Sequence, residues 1–242
     1  MTSRLTETAA VIIPAYQEAD RIGETLRALR AAGFREIWVV DDGSTDATAR
    51  RAREAGARLL RFARNRGKGA ALTAGLNSSS GDPILFLDAD LGESAAEAVA
   101  LLAPLEADEA DMAVAAFPGP ARGAGLGFVV GLARWGIRRL TGWNPRFPVS
   151  GQRALRRSLA RAIAPFAPGF GVEVAMTVRA LWRGARIREV PVAFRHRRTG
   201  RDLAGWLHRG RQLRDVAWTL LGLALERKRP AAGRPRRREA GS

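Results

Sequence analysis

The sequence predicts an α/β domain: a mostly parallel, twisted sheet with helices on both faces. Three observations predict it. Short apolar runs alternate with helical patterns through the first half, at the spacing of strand–helix–strand units. Four of those runs are each followed by a polar or charged motif, and open parallel sheets bind ligands at the carboxyl ends of their strands. The chain has 242 residues, 46% hydrophobic and 26% charged, which suits one globular domain with a full core.

Taken in order, residues 9–13 read as a buried strand ended by Pro14. Residues 21–32 read as a helix, with Asp20 as N-cap and Gly33 just past its end. Residues 36–41, rich in Ile and Val, are a second strand, and 47–54 a second helix closed by Gly56. A short strand at 58–61, a helix at 69–77 and a strand at 83–88 follow. Residues 97–106 are helical and 112–116 a fifth strand. Beyond them lie a glycine-rich loop at 119–127, a helix at 172–183 and a strand at 186–190. Residues 203–225 set Leu213, Val216, Trp218, Leu220 and Leu221 at mostly helical spacing, with arginines between them. Residues 1–226 are expected to form one domain. The basic, Pro- and Ala-rich tail at 227–242 is expected to be disordered.

The charge is uneven. The chain carries 40 basic and 24 acidic residues, net +16, and its only lysines are Lys68 and Lys228. Residues 227–242 hold seven basic residues and one acid, Glu239. Such a balance points to an anionic partner, and arginine favours bidentate contact with phosphate and carboxylate. Drift of composition towards Arg and Ala is the plain alternative. The absence of cysteine excludes disulfides, thiolate metal sites and cysteine nucleophiles. No apolar run reaches the roughly 18 residues of a spanning helix, and residues 1–8 lack a signal-peptide core. A cytoplasmic setting is expected, with peripheral contact at the inner face of a membrane.

Chemistry collects at the strand ends. Pro14-Ala15-Tyr16-Gln17-Glu18 follows the first strand and Asp41-Asp42-Gly43-Ser44-Thr45-Asp46 the second. Asn65-Arg66-Gly67-Lys68-Gly69 follows the third and Asp88-Ala89-Asp90 the fourth. Two carboxylates one residue apart after an apolar strand repel unless paired or metal-bound. Mg²⁺ or Mn²⁺ takes such oxygen donors and shares its shell with substrate phosphates, so a nucleoside diphosphate is the natural co-ligand. The bland alternative is one Asp capping a helix and the other facing water. Asp41 and Asp42 can accept hydrogen bonds from a base or ribose. A tight turn and helix cap explain Gly43, Ser44 and Asp46 but not two adjacent acids. Lys68 at a helix N-terminus suits phosphate. The spacing matches neither a P-loop nor the Gly-rich fingerprint of NAD sites.

As an ordered set these motifs resemble the GT-A fold glycosyltransferases of family 2, which transfer a sugar from a nucleotide sugar. The resemblance implies that Pro14, Tyr16, Glu18 and Asp42 hold the nucleoside and that Lys68 lies near the donor phosphates or sugar. It implies that Asp88 and Asp90 hold the metal and diphosphate, with Asp90 catalytic. Residues 9–116 would be the nucleotide-sugar half and 117–226 the acceptor half.

The second half, with Pro148-Val149-Ser150-Gly151-Gln152-Arg153, Gly169-Phe170-Gly171-Val172-Glu173 and Glu189 to Arg197, is similar to glucosyl-3-phosphoglycerate and mannosyl-3-phosphoglycerate synthases. That likeness implies a donor-side catalytic role for Glu173 and a metal ligand in His196. A first-turn helix acid and a surface histidine are the structural alternatives. The first half is shared with polyprenyl-phosphate sugar transferases, but Phe147 and Gly92 stand where those carry an acid and a polar residue.

The expected donor is UDP-glucose or GDP-mannose, the former favoured. The expected acceptor is phosphorylated: a polyprenyl phosphate first, 3-phosphoglycerate second. Arg122, Arg134, Arg138, Arg139 and Arg153 are candidates to hold it, and each could equally belong to a solvated basic face. Basic amphipathic stretches at 128–140 and 203–225 could rest on an anionic membrane or pack on the sheet. A nucleotidyltransferase ranks lower, because no glycine-rich basic loop follows Ile13. Nucleic acid is not expected, since the tail lacks interleaved aromatics.

Overall fold

The computed structural model describes residues 4–117, 126–194 and 203–228. In chain order the first half runs α1 (Leu5–Thr8), β1 (Ala10–Ala15), α2 (Ile22–Ala31), β2 (Glu36–Asp41), α3 (Thr48–Glu54), β3 (Arg58–Arg61), α4 (Lys68–Ser78) and β4 (Ile84–Phe86). A 3₁₀ helix (Gly92–Leu101), α5 (Ala103–Glu106) and β5 (Met112–Ala116) follow. The second half contributes α6 (Leu126–Thr141), β6 (Arg153–Leu155), α7 (Arg157–Ile163), a 3₁₀ turn (Gly169–Gly171), α8 (Val172–Trp182), β7 (Ile187–Pro191) and α9 (Leu203–Lys228).

Seven strands form one sheet in the order β3-β2-β1-β4-β6-β5-β7. All pairings are parallel except those of β6, which lies antiparallel between β4 and β5. Alternate residues of β1 face opposite layers. Val11 and Ile13 pack with α2 and the 3₁₀ helix, while Ala10 and Ile12 pack with α4 and α8. A third apolar cluster joins α6, α8 and α9 through Val129, Ile137, Val174, Val178, Val216 and Leu220. Among the described residues no helix is long and apolar enough to cross a membrane.

Several boundaries differ from those read in the sequence. Pro14 lies inside β1, opposite Val40, rather than ending it. Ile12 turns its carbonyl to the β4 side, where Leu87 N donates to it at 3.2 Å. Pro14 is in phase with Ile12, and β4 pairing stops at Ile12 opposite Phe86, so the missing N–H has no partner to lose. Asp20 does not cap α2; Arg21 is the N-cap residue, without a side-chain bond. The helix expected at 97–106 is mostly 3₁₀ and starts earlier, pinned where Gly92 N donates to Thr25 Oγ1 at 2.8 Å. The sequence pattern does not announce α1, β6 or α7. A three-residue Arg-Ala-Leu strand has too few positions to show a period. α9 continues through Arg227 and Lys228, so the tail boundary at 227 falls inside a helix, and residues 229–242 lie outside the described residues.

Candidate active site

The parallel strands β1 to β4 end along one edge, and their loops are laced together before any ligand is considered. Gln17, at φ 59°, donates through its backbone N to Ser44 Oγ at 3.0 Å. Glu18 N donates to Thr48 Oγ1 at 2.9 Å and Ala19 N to Asp46 Oδ2 at 3.1 Å. Asp46 Oδ1 also accepts from Thr48 N at 2.9 Å at the start of α3.

Asp41 and Asp42, the adjacent acids, are both turned inward. Asp41 is fully buried; its Oδ1 accepts from Ser44 N at 2.9 Å, and Arg61 Nε lies 3.1 Å from its Oδ2. Asp42 Oδ1 accepts from Arg66 N at 2.6 Å and Oδ2 from Gly67 N at 2.8 Å. One acid therefore closes the turn after β2, and the other latches the loop that leads into α4. The inward bonds of Asp42 supply the structural explanation for the second acid that a turn and helix cap alone did not.

That latch aims Lys68. Gly67 adopts φ +88°, which places Lys68 as the first residue of α4. A Cβ on Gly69 would stand 2.1 Å from the Ala167 carbonyl oxygen, so only glycine lets the start of α4 pack on this backbone. Lys68 Nζ then donates to Asp88 Oδ1 at 2.8 Å and lies 2.9 Å from Glu173 Oε1. Burial alone would lower the Lys68 pKa, but the charges of Asp88 and Glu173 outweigh it and hold it above its ordinary value. Gln152 Nε2 donates to Asp88 Oδ2, and a Cβ on Gly151 would come within 2.8 Å of Lys68 Nζ. Gln152 was not singled out in the sequence, although it sits in the quoted Ser-Gly-Gln-Arg segment.

The model for glycosyl transferase family 2 matches residues 10–164. The chain belongs to glycosyl transferase family 2. Glycosyltransferase AglJ of Haloferax volcanii is 29% identical over 204 residues, covering 81% of this chain and 66% of that protein. An undecaprenyl-phosphate 4-deoxy-4-formamido-L-arabinose transferase of Pseudomonas fluorescens is 37% identical over 108 residues, covering 40% of this chain and 32% of its own. A crystal structure of glucosyl-3-phosphoglycerate synthase from Mycobacterium tuberculosis, in complex with Mn²⁺, UDP-glucose and phosphoglyceric acid, is 30% identical with a TM-score of 0.74. That match covers 89% of this chain and 79% of the synthase chain. The chain spans about two thirds or less of the length of the curated relatives it matches. The mostly parallel α/β fold expected from the strand pattern is that of this synthase, and so is the GT-A assignment.

Within this family 2 chain the expected site residues other than Asp41 and Asp42 fall into three groups. Lys68, Asp88 and Glu173 meet directly, and Asp90 lies half-buried two residues past Asp88. Glu173 occupies the first turn of α8 and is 8% exposed. At the rim, Tyr16 is 48% exposed, with half-buried Pro14 and Glu18 on either side of it.

A second group is committed elsewhere. Arg153 is 1% exposed, with Nε donating to Ser150 O at 2.9 Å and Nη1 to Thr177 Oγ1 at 2.8 Å. Burial pushes its pKa down to about 10, against the charges of Glu173 and Glu189. It braces the sheet and offers no open face to an acceptor. Arg134 donates to the carbonyls of Pro145 and Arg146 at 2.9 and 3.0 Å, holding the loop after α6. The third group, Arg122 and His196, lies outside the described residues.

Asp88 and Asp90 offer hard oxygen donors at the strand end, a chemistry that fits Mg²⁺ or Mn²⁺ and leaves most of the shell to phosphate and water. No group of three His, Cys, Asp or Glu suited to a metal ion occurs among the described residues.

Proposed function

We propose that the chain transfers a hexose from a nucleotide sugar, UDP-glucose before GDP-mannose, to a phosphorylated acceptor. The observation that carries this reading is the meeting of Lys68 with Asp88 and Glu173 at the carboxyl ends of parallel strands. Asp88 and Asp90 would hold Mg²⁺ or Mn²⁺, which supplies charge to neutralise the departing diphosphate. Lys68 is a fixed cation at a helix N-terminus, where negative charge grows as the glycosidic bond to the diphosphate breaks. Asp42 keeps its loop in place, and Gln152 keeps the Asp88 carboxylate turned towards Lys68. Glu173 faces the same cation and would be the carboxylate that meets the sugar or the acceptor hydroxyl.

A polyprenyl phosphate is the first acceptor, supported by the curated undecaprenyl-phosphate transferases and by exposed aromatics and arginines on α6 and α9. 3-Phosphoglycerate is the second, supported by the match to the Mycobacterium tuberculosis synthase over 89% of the chain. Nucleoside diphosphate release should be measured with Mn²⁺ or Mg²⁺ and each donor, against 3-phosphoglycerate and against a short-chain polyprenyl phosphate in detergent. Release that needs both donor and acceptor, and that Asp90→Ala abolishes, supports the proposal. Turnover unchanged in Asp90→Ala, or none with any pairing, refutes it.

A further inference from the structure

Among the described side chains, α6 and α9 each turn large apolar groups away from the protein. On α6, Val129, Ala133 and Ile137 are buried, and the opposite side presents Phe128 at 80% exposure and Trp135 at 62%. On α9, Val216, Leu220 and Leu223 are buried, and the opposite side presents Trp218 at 66%, Leu221 at 50% and Leu225 at 56%. The spacing is helical on both: Phe128 and Trp135 are seven residues apart, as are Trp218 and Leu225. The two helices pack on one another, with Leu220 against Gly136, where a Cβ would stand 2.3 Å from a Leu220 methyl. Large exposed apolar groups repeated along one side of a helix mark an interaction surface, whereas scattered single ones do not.

Charge decides what the surface meets. Exposed Arg138 and Arg139 extend the α6 stripe, and exposed Arg211 and Arg214 extend that of α9. The acids nearby are engaged: Asp215 pairs with Arg214 at 3.2 Å and Glu226 with Arg179 at 3.0 Å. A second copy laid on this face would set arginines against arginines. An anionic bilayer surface supplies the opposite sign, and tryptophan and arginine together are what the headgroup region accommodates. The net charge of +16 adds long-range attraction of the same sign.

We infer that the exposed sides of α6 and α9 dock on an anionic lipid surface, with Phe128, Trp135, Trp218, Leu221 and Leu225 entering the headgroup region and the arginines meeting lipid phosphates. This deepens the lipid-acceptor reading by naming the face that would bring the chain to its substrate. Binding is measured without donor or acceptor, so its failure is distinct from failure of the transferase reading.

The full chain should be sedimented with vesicles of phosphatidylcholine alone and of phosphatidylcholine mixed with phosphatidylglycerol. Binding is expected on the mixed vesicles, weak on the neutral ones, and weakened by salt. Near an anionic surface each arginine contributes about a fivefold factor, so Arg138→Gln with Arg139→Gln should weaken binding by about 25-fold. Trp135→Ser with Trp218→Ser and Leu225→Ser should weaken it too, with the melting temperature unchanged because these side chains are exposed. Changing Arg234, Arg236, Arg237 and Arg238 to Gln controls for the basic C-terminal segment. Three results overturn the inference. One is no binding to the mixed vesicles. The second is binding that survives both face variants and falls only with the C-terminal one. The third is a dimer by light scattering that the Trp135, Trp218 and Leu225 variant separates.

Discussion

Lys68 and Glu173 meet at 2.9 Å, one at the start of α4 and the other in the first turn of α8, and Asp88 takes the same ammonium at 2.8 Å. One cation thus joins the two halves of the chain at the edge where the parallel strands end.

Lys68→Met should leave two carboxylates facing each other without that cation. On the proposed function Lys68 faces the departing diphosphate, and losing such a charge costs about 10²–10³ in turnover. A kcat lower by that factor is expected in steady-state diphosphate release, with Lys68→Arg retaining part of it. Because the Lys68 pKa is raised, the group stays charged across the assay range, and no rate step from its deprotonation is expected near neutral pH. Near-normal turnover in Lys68→Met would remove Lys68 from the chemistry.

Asp42→Ala separates a loop latch from a nucleoside contact. It strips the acceptors from Arg66 N and Gly67 N, which costs about 1–3 kcal/mol of stability. A lower urea midpoint together with a lower kcat is expected, since Lys68 follows directly after this loop. Unchanged stability with weakened nucleotide binding would instead show that Asp42 touches the nucleoside.

The strands that carry these motifs were legible because each is a short apolar run with a loop signal behind it; β2, β3 and β5 have the bounds read from the sequence. The sequence did not show what the motif side chains do at home. Asp41 and Asp42 read as ligand carboxylates in the sequence, which does not show that they also accept from the backbone N–H groups of Ser44, Arg66 and Gly67. Arg153 looks like an acceptor-binding arginine because a buried, charged strand residue breaks the rule by which strands are recognised. Gln152 reaches Asp88 only because β6 lies beside β4, and no local pattern announces a three-residue antiparallel strand.

Glu36 predicts the acid limb of stability. Its carboxylate accepts from Trp38 Nε1 at 2.9 Å, Ser80 N at 2.9 Å and Gly81 N at 2.7 Å. Burial alone would raise its pKa, but these bonds outweigh it and hold it below the ordinary 4.5. The folded chain therefore binds this proton less readily than the unfolded chain. The stabilisation is complete above about pH 5 and is lost as pH falls through the folded pKa. Glu36→Gln should be less stable than the parent chain at neutral pH, by about 1–3 kcal/mol, and show a flatter decline in acid. Thermal melts across the acid range check this. A parallel decline in both proteins would mean that other carboxylates set the limb.

Gly69 tests how tightly α4 is held. Within a helix, alanine is ordinarily better than glycine by about 1 kcal/mol. At Gly69 that preference is reversed, because the new methyl would stand 2.1 Å from Ala167 O and 3.0 Å from Phe166 O, and backbone cannot swing aside as a side chain can. Gly69→Ala should lower the melting temperature and, by shifting the start of α4, lower turnover through Lys68. Gly131 on the exposed side of α6 is the control, since a methyl there meets nothing within 4 Å. Gly131→Ala should raise the melting temperature and leave turnover unchanged. If both variants are stabilised, the contact between α4 and the segment around Ala167 is looser than the geometry gives, and Lys68 is not positioned by it.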